Sequence, residues 1–483
     1  MKNTTMLKGL KKILLISLVA INLGTLKGQV EEKPNILIFI ADDAGMDFGC
    51  YGNETIKTPN IDQLASEGIV CEKAFVTAPQ CSPSRSSILS GKFAHTIGTE
   101  DLLTDLPAGV KLLPSYLKKA GYYSGMMLKS HMGKFAEWQF DWYDHGMFDY
   151  LKGHWHDKMM DNFREFLNNK EENPFFLWMA FVDPHRPYQS DRIPDNRAPG
   201  LHKAKNVIVP EYLEDAPETR EDIAQYYDEI TRMDDHIGQF IKELKKQKLY
   251  DNTIIIFISD NGSPFPGAKG TLFDPGIQTP MVIKWKDKIK PGVRYTHLLS
   301  TIDIAPTAME IAGLEIPGDF AGKSMLPVFK DTSVILNDFI FAERNWHDGD
   351  EHMRCVRSES IKLIFTGDYN YGPVSLPIDV ATSPSAKDLM ETKRKGDLTF
   401  CQEKIYNYPR ATIQIYDLIK DPCESENLAE SKEFSGKGRK LIYNLNAWMR
   451  ETEDYPPHER KRGDNIDRFT GFPFGSGLPE IIK

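Results

Sequence analysis

With 483 residues, of which 41% are hydrophobic and 11% aromatic, the chain can bury a sizeable core and exceeds the usual single-core length. That excludes a disordered polypeptide and points to two subdomains. The formal net charge of −10 excludes a general nucleic-acid binder, so any anion site must be a local basic pocket in an acidic molecule.

Residues 1–28 read as a secretory signal. Lys2, Lys8, Lys11 and Lys12 precede an apolar run from Ile13 to Leu26, with small residues near Gly28. The run is short for a spanning helix. No stable membrane insertion is therefore expected after signal removal, and the mature chain is expected to be periplasmic or secreted. The six cysteines, Cys50, Cys71, Cys81, Cys355, Cys401 and Cys423, are too few to define a disulfide scaffold.

Residues 34–43 form a continuous apolar run that closes in Asp42-Asp43. Such runs predict parallel strands covered on both faces, and ligand sites in such sheets gather at the carboxyl ends of strands. From that edge both carboxylates can reach one cation; an acidic turn is the alternative. Thr58-Pro59-Asn60 through Gly68 predicts a capped helix, and a strand follows it. Residues 79–91, Pro-Gln-Cys-Ser-Pro-Ser-Arg-Ser-Ser-Ile-Leu-Ser-Gly, predict a short helix with Pro83 in its first position and Gly91 closing it. Cys81 then lies just before a helix N-terminus, where free N–H groups favour anions. Arg85, one turn on, can reach back to it. Together they make a plausible oxyanion site; a surface helix start with an incidental cysteine is the alternative.

Leu113–Ala120 predicts a helix and Tyr122–Leu128 a strand delivering Lys129-Ser130-His131. At i and i+2, the lysine and the histidine share a side if the chain stays extended. Residues 174–182 predict an aromatic strand ending in Asp183-Pro184-His185-Arg186-Pro187, where the prolines stiffen the loop around His185. A long amphipathic helix is predicted at 219–247. Thr253–Ser259 is a strand ending in Asp260-Asn261-Gly262. Asn-Gly permits a hairpin, but Ser263-Pro264-Phe265-Pro266-Gly267 reads as a loop leading to Lys269. From about residue 335, shorter antiparallel strands are predicted at 339–343, 353–365 and 413–418, with loops at 366–410 and a closing helix at 434–450. The fold class is α/β: a large mixed, mostly parallel sheet sandwiched by helices, with a smaller C-terminal α+β subdomain.

Cys81, Pro83, Ser84 and Arg85, followed by Leu89 and Gly91, resemble the signature of the formylglycine-dependent sulfatases of the alkaline phosphatase superfamily. The resemblance covers nearly the whole mature chain and implies a catalytic domain at 29–334 and a C-terminal subdomain at 335–483. It implies that Cys81 is oxidised to formylglycine by a dedicated formylglycine-generating or sulfatase-maturating enzyme. It also implies a metal site of Asp42, Asp43, Asp260 and Asn261, with the modified Cys81 as a further ligand. That all-oxygen set suits a hard cation, with Ca²⁺ placed ahead of Mg²⁺ because the protein supplies many ligands. Zinc is disfavoured without histidine or thiolate ligands.

The implied cationic set is Arg85, Lys129, His131, His185 and Lys269. The family's usual Gly-Lys-Trp-His stands here as Leu128-Lys129-Ser130-His131, which keeps the Lys–His spacing and changes both other residues. In the implied mechanism the aldehyde at position 81 hydrates to a gem-diol, and one hydroxyl attacks sulfur. Lys129, Lys269 and the cation stabilise the sulfuryl oxygens, and His185 protonates the leaving atom. His131 then assists the second hydroxyl in expelling sulfate.

Five further stretches resemble the sulfamidase branch of that family: Asp183-Pro184-His185-Arg186, Arg232-Met233-Asp234, Ser259 to Pro266, Leu376-Pro377-Ile378-Asp379 and Asn427-Leu428-Ala429. Lys269 stands where that branch has an arginine and lacks its bidentate fork. Bacterial members also serve algal polysaccharides such as ulvan. The expected substrate is a sulfated oligosaccharide or polysaccharide, of glycosaminoglycan or algal origin, with O-sulfate placed ahead of N-sulfate. Two readings compete: a phosphate or phosphonate ester hydrolase, and an inactive protein that binds sulfated glycans. Pocket walls are expected from loops at 95–101, 186–192 and 344–354, whose cations would face neighbouring acidic sugars.

Overall fold

The computed structural model describes residues 32–144, 155–188, 202–349, 351–367, 373–432 and 435–455. The expected signal at 1–28 and the wall residues 189–192 and 350 lie outside them. Among the described residues, eight strands form the main sheet: β1 (Asn35–Ala41), β2 (Ile69–Phe75), β3 (Tyr123–Leu128), β4 (Trp142–Tyr143), β5 (Phe175–Ala180), β6 (Thr253–Ser259), β7 (Gln278–Lys284) and β8 (Val293–Ser300). Their order is β4-β3-β5-β1-β6-β7-β2-β8. Only β7 runs antiparallel to its neighbours β6 and β2; the remaining pairs are parallel.

The longer helices are α1 (Pro59–Ser66), α2 (Cys81–Ser90), α3 (Trp155–Asn169), α4 (Pro217–Lys246), α5 (Ile304–Ile311), α6 (Pro384–Lys395) and α7 (Ser435–Glu451). Alternate residues of β1 explain the sandwich. Leu37 and Phe39 join a core with Ile223, Tyr226, Ile230, Met233 and Phe240 of α4. Ile36, Ile38 and Ile40 join the opposite core with Ile88 and Leu89 of α2 and Ile304 and Ala308 of α5. Both faces are dry, so the strand carries no polar alternation. Each such side chain contributes about 1.5–3 kcal/mol. Truncating one, as in Ile38→Ala, costs about 2–5 kcal/mol through the cavity left behind.

A second sheet of β9 (Ile340–Arg344), β10 (Met353–Arg357), β11 (Ile361–Thr366) and β12 (Ile413–Asp417) has the order β12-β11-β10-β9 and is antiparallel throughout. Leu441, Leu445 and Trp448 of α7 pack on Val356, Leu363 and Ile415. The Glu343 N–H donates to Thr77 O at 2.8 Å, which ties this sheet to the segment leading into α2. Cys401 and Cys423 form a disulfide.

Several sequence expectations are corrected. The strand expected at 353–365 is a hairpin, because Ser358 turns the chain: its N–H and Oγ both donate to Ile361 O, at 2.9 and 3.0 Å. The loops expected at 366–410 contain α6, opened by Ser383, whose Oγ accepts from Ala386 N, and closed by Gly396 in the left-handed region. Thr58 does not cap α1 with its side chain. Asp234 of α4 does so from a distance, accepting from Asn60 N at 3.1 Å and Ile61 N at 2.8 Å. α2 begins at Cys81, with Pro83 its third residue; a missing N–H costs nothing there either, because the first-turn donors have no intrahelical partner.

Candidate active site

Parallel register places the site. Ala41 of β1 is opposite Ser259 of β6, so both strands stop at one level and project Asp42-Asp43 beside Asp260-Asn261. The ladder continues one residue further, with Asp260 N donating to Ala41 O at 3.1 Å and Asp42 N to Asp183 O at 3.0 Å. β3 and β5 pair Leu128 with Ala180, and Lys129 N donates to Ala180 O at 3.0 Å. Five segments therefore meet at one carboxyl edge, the fifth being the start of α2.

One potential ligand atom each from Asp42, Asp43, Cys81 and Asp260 lies within 4.8 Å of the others, and all four residues are buried. Asp43 turns through φ 70°, a conformation that Asp tolerates better than most residues. Its N–H donates to Asp260 Oδ1 at 3.1 Å. Asn261 Nδ2 donates to Asp43 Oδ1 at 2.8 Å, while Asn261 Oδ1 is a buried acceptor with no hydrogen-bond partner. Three buried carboxylates and an orphaned amide oxygen fit a hard divalent cation.

Three cations surround that cluster. Arg85 Nε donates to Asp260 Oδ2 at 2.8 Å, and its Nη2 forms ion pairs with Asp260 Oδ2 at 2.8 Å and Asp42 Oδ1 at 3.4 Å. Lys129 pairs with Asp42 Oδ2. Lys269 Nζ sits 2.8 Å from Asp43 Oδ2. Burial pushes the Asp42 carboxyl up, but Lys129, His185 and Arg85 outweigh it and hold it well below the usual range. Burial also drives the Cys81 thiol well up, with Lys129 opposing. Burial, then Lys269, lowers His185, and burial, then Lys129, lowers His131 well below an ordinary imidazole.

The ten candidate residues thus gather in one place, by a different route for Lys129 and His131. Extension does not continue past β3: Leu128 and His131 take φ 69° and 58°. The tight turn, rather than a shared strand face, brings both residues inward. His185 reaches from the loop after β5, with Nε2 3.8 Å from Asp43 Oδ2.

The expected sugar-facing cations are corrected. Arg344 and Arg354 are buried within strands. Arg344 donates to Ser375 O, and Arg354 Nη2 to Asp454 Oδ1 at 2.7 Å. Arg186 is clamped on Asp222 at 2.6 and 2.7 Å. These arginines brace loops because burial of a guanidinium demands paired acceptors. Asp379, which motif spacing did not single out, stands at the mouth with Oδ2 2.9 Å from Lys269 Nζ and 4.0 Å from His185 Nε2. Burial raises its carboxyl, but Lys269 and then His185 outweigh this and bring it to about 2. The only sequence signal for Asp379 was the stretch 376–379.

The family model for sulfatases matches residues 34–314, and the model for the C-terminal part of N-sulphoglucosamine sulphohydrolase matches 268–374. The chain belongs to the sulfatase family. It is 29% identical to the N-sulphoglucosamine sulphohydrolase of Homo sapiens over 87% of this chain and 90% of that protein. An ulvan-active sulfatase of Formosa agariphila is 26% identical over 87% and 75% of the two chains. A structure solved in complex with its substrate D-glucosamine-2-N,6-O-disulfate superposes with a TM-score of 0.67 at 21% identity, over 89% of this chain and 100% of that one. That likeness speaks to the fold. Among the described residues, no helix is long and apolar enough to cross a membrane.

Proposed function

We propose that the protein is a formylglycine- and calcium-dependent sulfatase that removes sulfate from sulfated carbohydrates, acting in the periplasm or outside the cell after loss of residues 1–28. The observation that carries this reading is the convergence of Cys81 with three buried carboxylates and three cations at one sheet edge. The names of two relatives, one acting on N-sulphoglucosamine and one on ulvan, support a sugar substrate. The Cys401–Cys423 disulfide supports an oxidising compartment. We take 29–334 as the catalytic domain and 335–483 as the C-terminal subdomain.

As a cysteine, residue 81 is a poor nucleophile, because burial keeps its thiol protonated. Oxidised to formylglycine by a maturation enzyme, it supplies a hydrated aldehyde with one hydroxyl to attack sulfur and a second to release sulfate. Ca²⁺ held by Asp42, Asp43, Asp260, Asn261 and residue 81 supplies Lewis-acid stabilisation of developing charge. Arg85 fixes the positions of Asp260 and Asp42. Lys129 and Lys269, each anchored on a ligand carboxylate, present ammonium groups to the sulfuryl oxygens. His185 Nδ1 is held by Arg186 O, which turns Nε2 toward the leaving atom as proton donor. His131 accepts the proton whose loss lets sulfate depart.

The test is release of inorganic sulfate from a panel of defined sulfated oligosaccharides by full-length protein carrying verified formylglycine and Ca²⁺. Failure on every member would end this reading. Phosphate release from phosphate esters, or cleavage of phosphonate esters, would favour the hydrolase alternative. Unmodified Cys81 in the native host would favour a glycan-binding protein.

A further inference from the structure

The mouth of the site carries a carboxylate that the sulfuryl half of the reaction does not need. Asp379 lies beyond both matched segments, 34–314 and 268–374, yet its position is fixed on several sides. Ser375 N donates to Glu351 Oε1 at 3.1 Å, and Arg344 donates to Ser375 O. Gly270 approaches Pro377 so closely that a Cβ there would meet the proline ring at 2.8 Å. Ile378 N donates to Asp348 Oδ2 at 2.9 Å. The Asp379 side chain keeps 20% exposure, where that of Asp43 keeps 0%. One of its oxygens lies within 4.8 Å of a carboxylate oxygen of Asp43 and a ring nitrogen of His185, and of the two carboxylates it is the one open to arriving substrate.

A carboxylate in that place repels sulfuryl oxygens, so its useful contact is with the other side of the scissile bond. There the substrate offers N–H or O–H donors, next to the atom that His185 serves. The two linkages differ in the charge they create. R–NH–SO₃⁻ and H₂O give R–NH₃⁺ and SO₄²⁻, whereas R–O–SO₃⁻ and H₂O give R–OH, SO₄²⁻ and H⁺. Only the first leaves a cation facing Asp379, and a charge-assisted hydrogen bond is about twice as strong as a neutral one.

We infer that Asp379 is a specificity residue: its carboxylate accepts a hydrogen bond from the leaving group and favours an amine over an alcohol, so that N-sulfated amino sugars are turned over ahead of O-sulfated ones. The inference rests on the sulfatase reading above and reverses the order expected from sequence alone. The bland alternative is that Asp379 only balances Lys269.

The two are separated by kcat and KM of full-length, formylglycine-bearing, Ca²⁺-loaded enzyme on N-sulfoglucosamine and on glucosamine 6-O-sulfate. In Asp379→Asn the ratio of kcat/KM, N-linked over O-linked, is expected to fall about tenfold to a hundredfold, with the O-linked value within about threefold of the unaltered enzyme. Equal losses on both substrates would reduce Asp379 to a counter-ion and overturn the inference. So would an unaltered enzyme that hydrolyses the O-sulfate and not the N-sulfate. A second measurement needs no variant: glucosamine, as the amine product, is expected to inhibit more strongly than N-acetylglucosamine, and equal inhibition overturns the inference. No sulfate from either sugar or from 4-nitrophenyl sulfate would instead remove the sulfatase reading itself.

Discussion

Arg85 grips a single oxygen of Asp260 with two nitrogens, Nε and Nη2, each 2.8 Å from Oδ2. The grip joins the start of α2 to the end of β6, and it leaves Asp260 Oδ1 to the Asp43 N–H. Both side chains are fully buried, so the pair is a structural commitment as well as an electrostatic one.

Removing Arg85 takes the buried Asp260 carboxyl's ion-pair partner away and leaves Asp42 to Lys129. Arg85→Ala is expected to lower unfolding stability by about 3–5 kcal/mol. Arg85→Lys is expected to recover only part of this, since an ammonium cannot form the fork. Denaturant midpoints check it; an unchanged midpoint in Arg85→Ala would show that the pair contributes nothing net.

Metal removal is expected to act in the same direction. Asp42, Asp43, Asp260 and Asn261 converge whether or not charge repulsion opposes them, so a bound ion stabilises the native state by mass action. Raising free Ca²⁺ to a hundredfold over Kd is expected to add about 2.7 kcal/mol. Chelation should lower both Tm and activity, and Ca²⁺ should restore both. Full activity after verified metal removal would refute the ligand assignment.

His185 is expected to matter in proportion to how badly the leaving group needs a proton. His185→Ala should slow a sugar sulfate about a hundredfold or more and an aryl sulfate far less, because a phenolate departs unaided. Burial and Lys269 lower the imidazole pKa. The acid form is therefore lost below the ordinary histidine value of about 6.5. For sugar sulfates, kcat/KM should fall with rising pH through a pKa below that value, and the aryl profile should lack this limb. Equal losses on both substrates would take His185 out of the role.

Cys81→Ser, in a host that leaves the serine unoxidised, retains one hydroxyl and no internal exit for sulfate. At most one turnover is expected, with the mass of one sulfuryl group added at residue 81. Cys81→Ala should show neither turnover nor adduct. Sustained turnover by the serine variant would mean that an ordinary alcohol or water performs the hydrolysis.

What sequence revealed and what it hid have physical causes. β1 and β6 were legible because a strand dry on both faces is a continuous apolar run, and their ends marked Asp42, Asp43, Asp260 and Asn261. β7 was not, because its apolar run is only Met281-Val282-Ile283, preceded by Pro280 and closed by Lys284. The cap that Asp234 places on α1 and the tie of Asp183 to Arg232 at 2.6 Å join residues far apart in the chain. No local pattern announces such contacts. The arginines of the wall loops were expected to face acidic sugars, because spacing says nothing of burial or of partners. Asp379 reaches the site from a segment with no strand to point it.

The burial of α2 sets an order of events in the life of the molecule. Every residue from Cys81 to Ser90 is buried, and the Cys81 Sγ lies 3.4 Å from Asp42 Oδ1 and 4.0 Å from Asp43 Oδ1. On the proposed formylglycine reading, a modifying enzyme would have to hold this segment as open chain to reach the sulfur, so oxidation is expected to come before folding. Protein that folds first is expected to keep its cysteine. Adding the maturation enzyme to purified native protein is then expected to leave Cys81 untouched, whereas adding it during refolding from denaturant should yield the aldehyde. On that reading the fold closes over the residue it depends on, and the order of oxidation and folding is expected to decide whether active protein results.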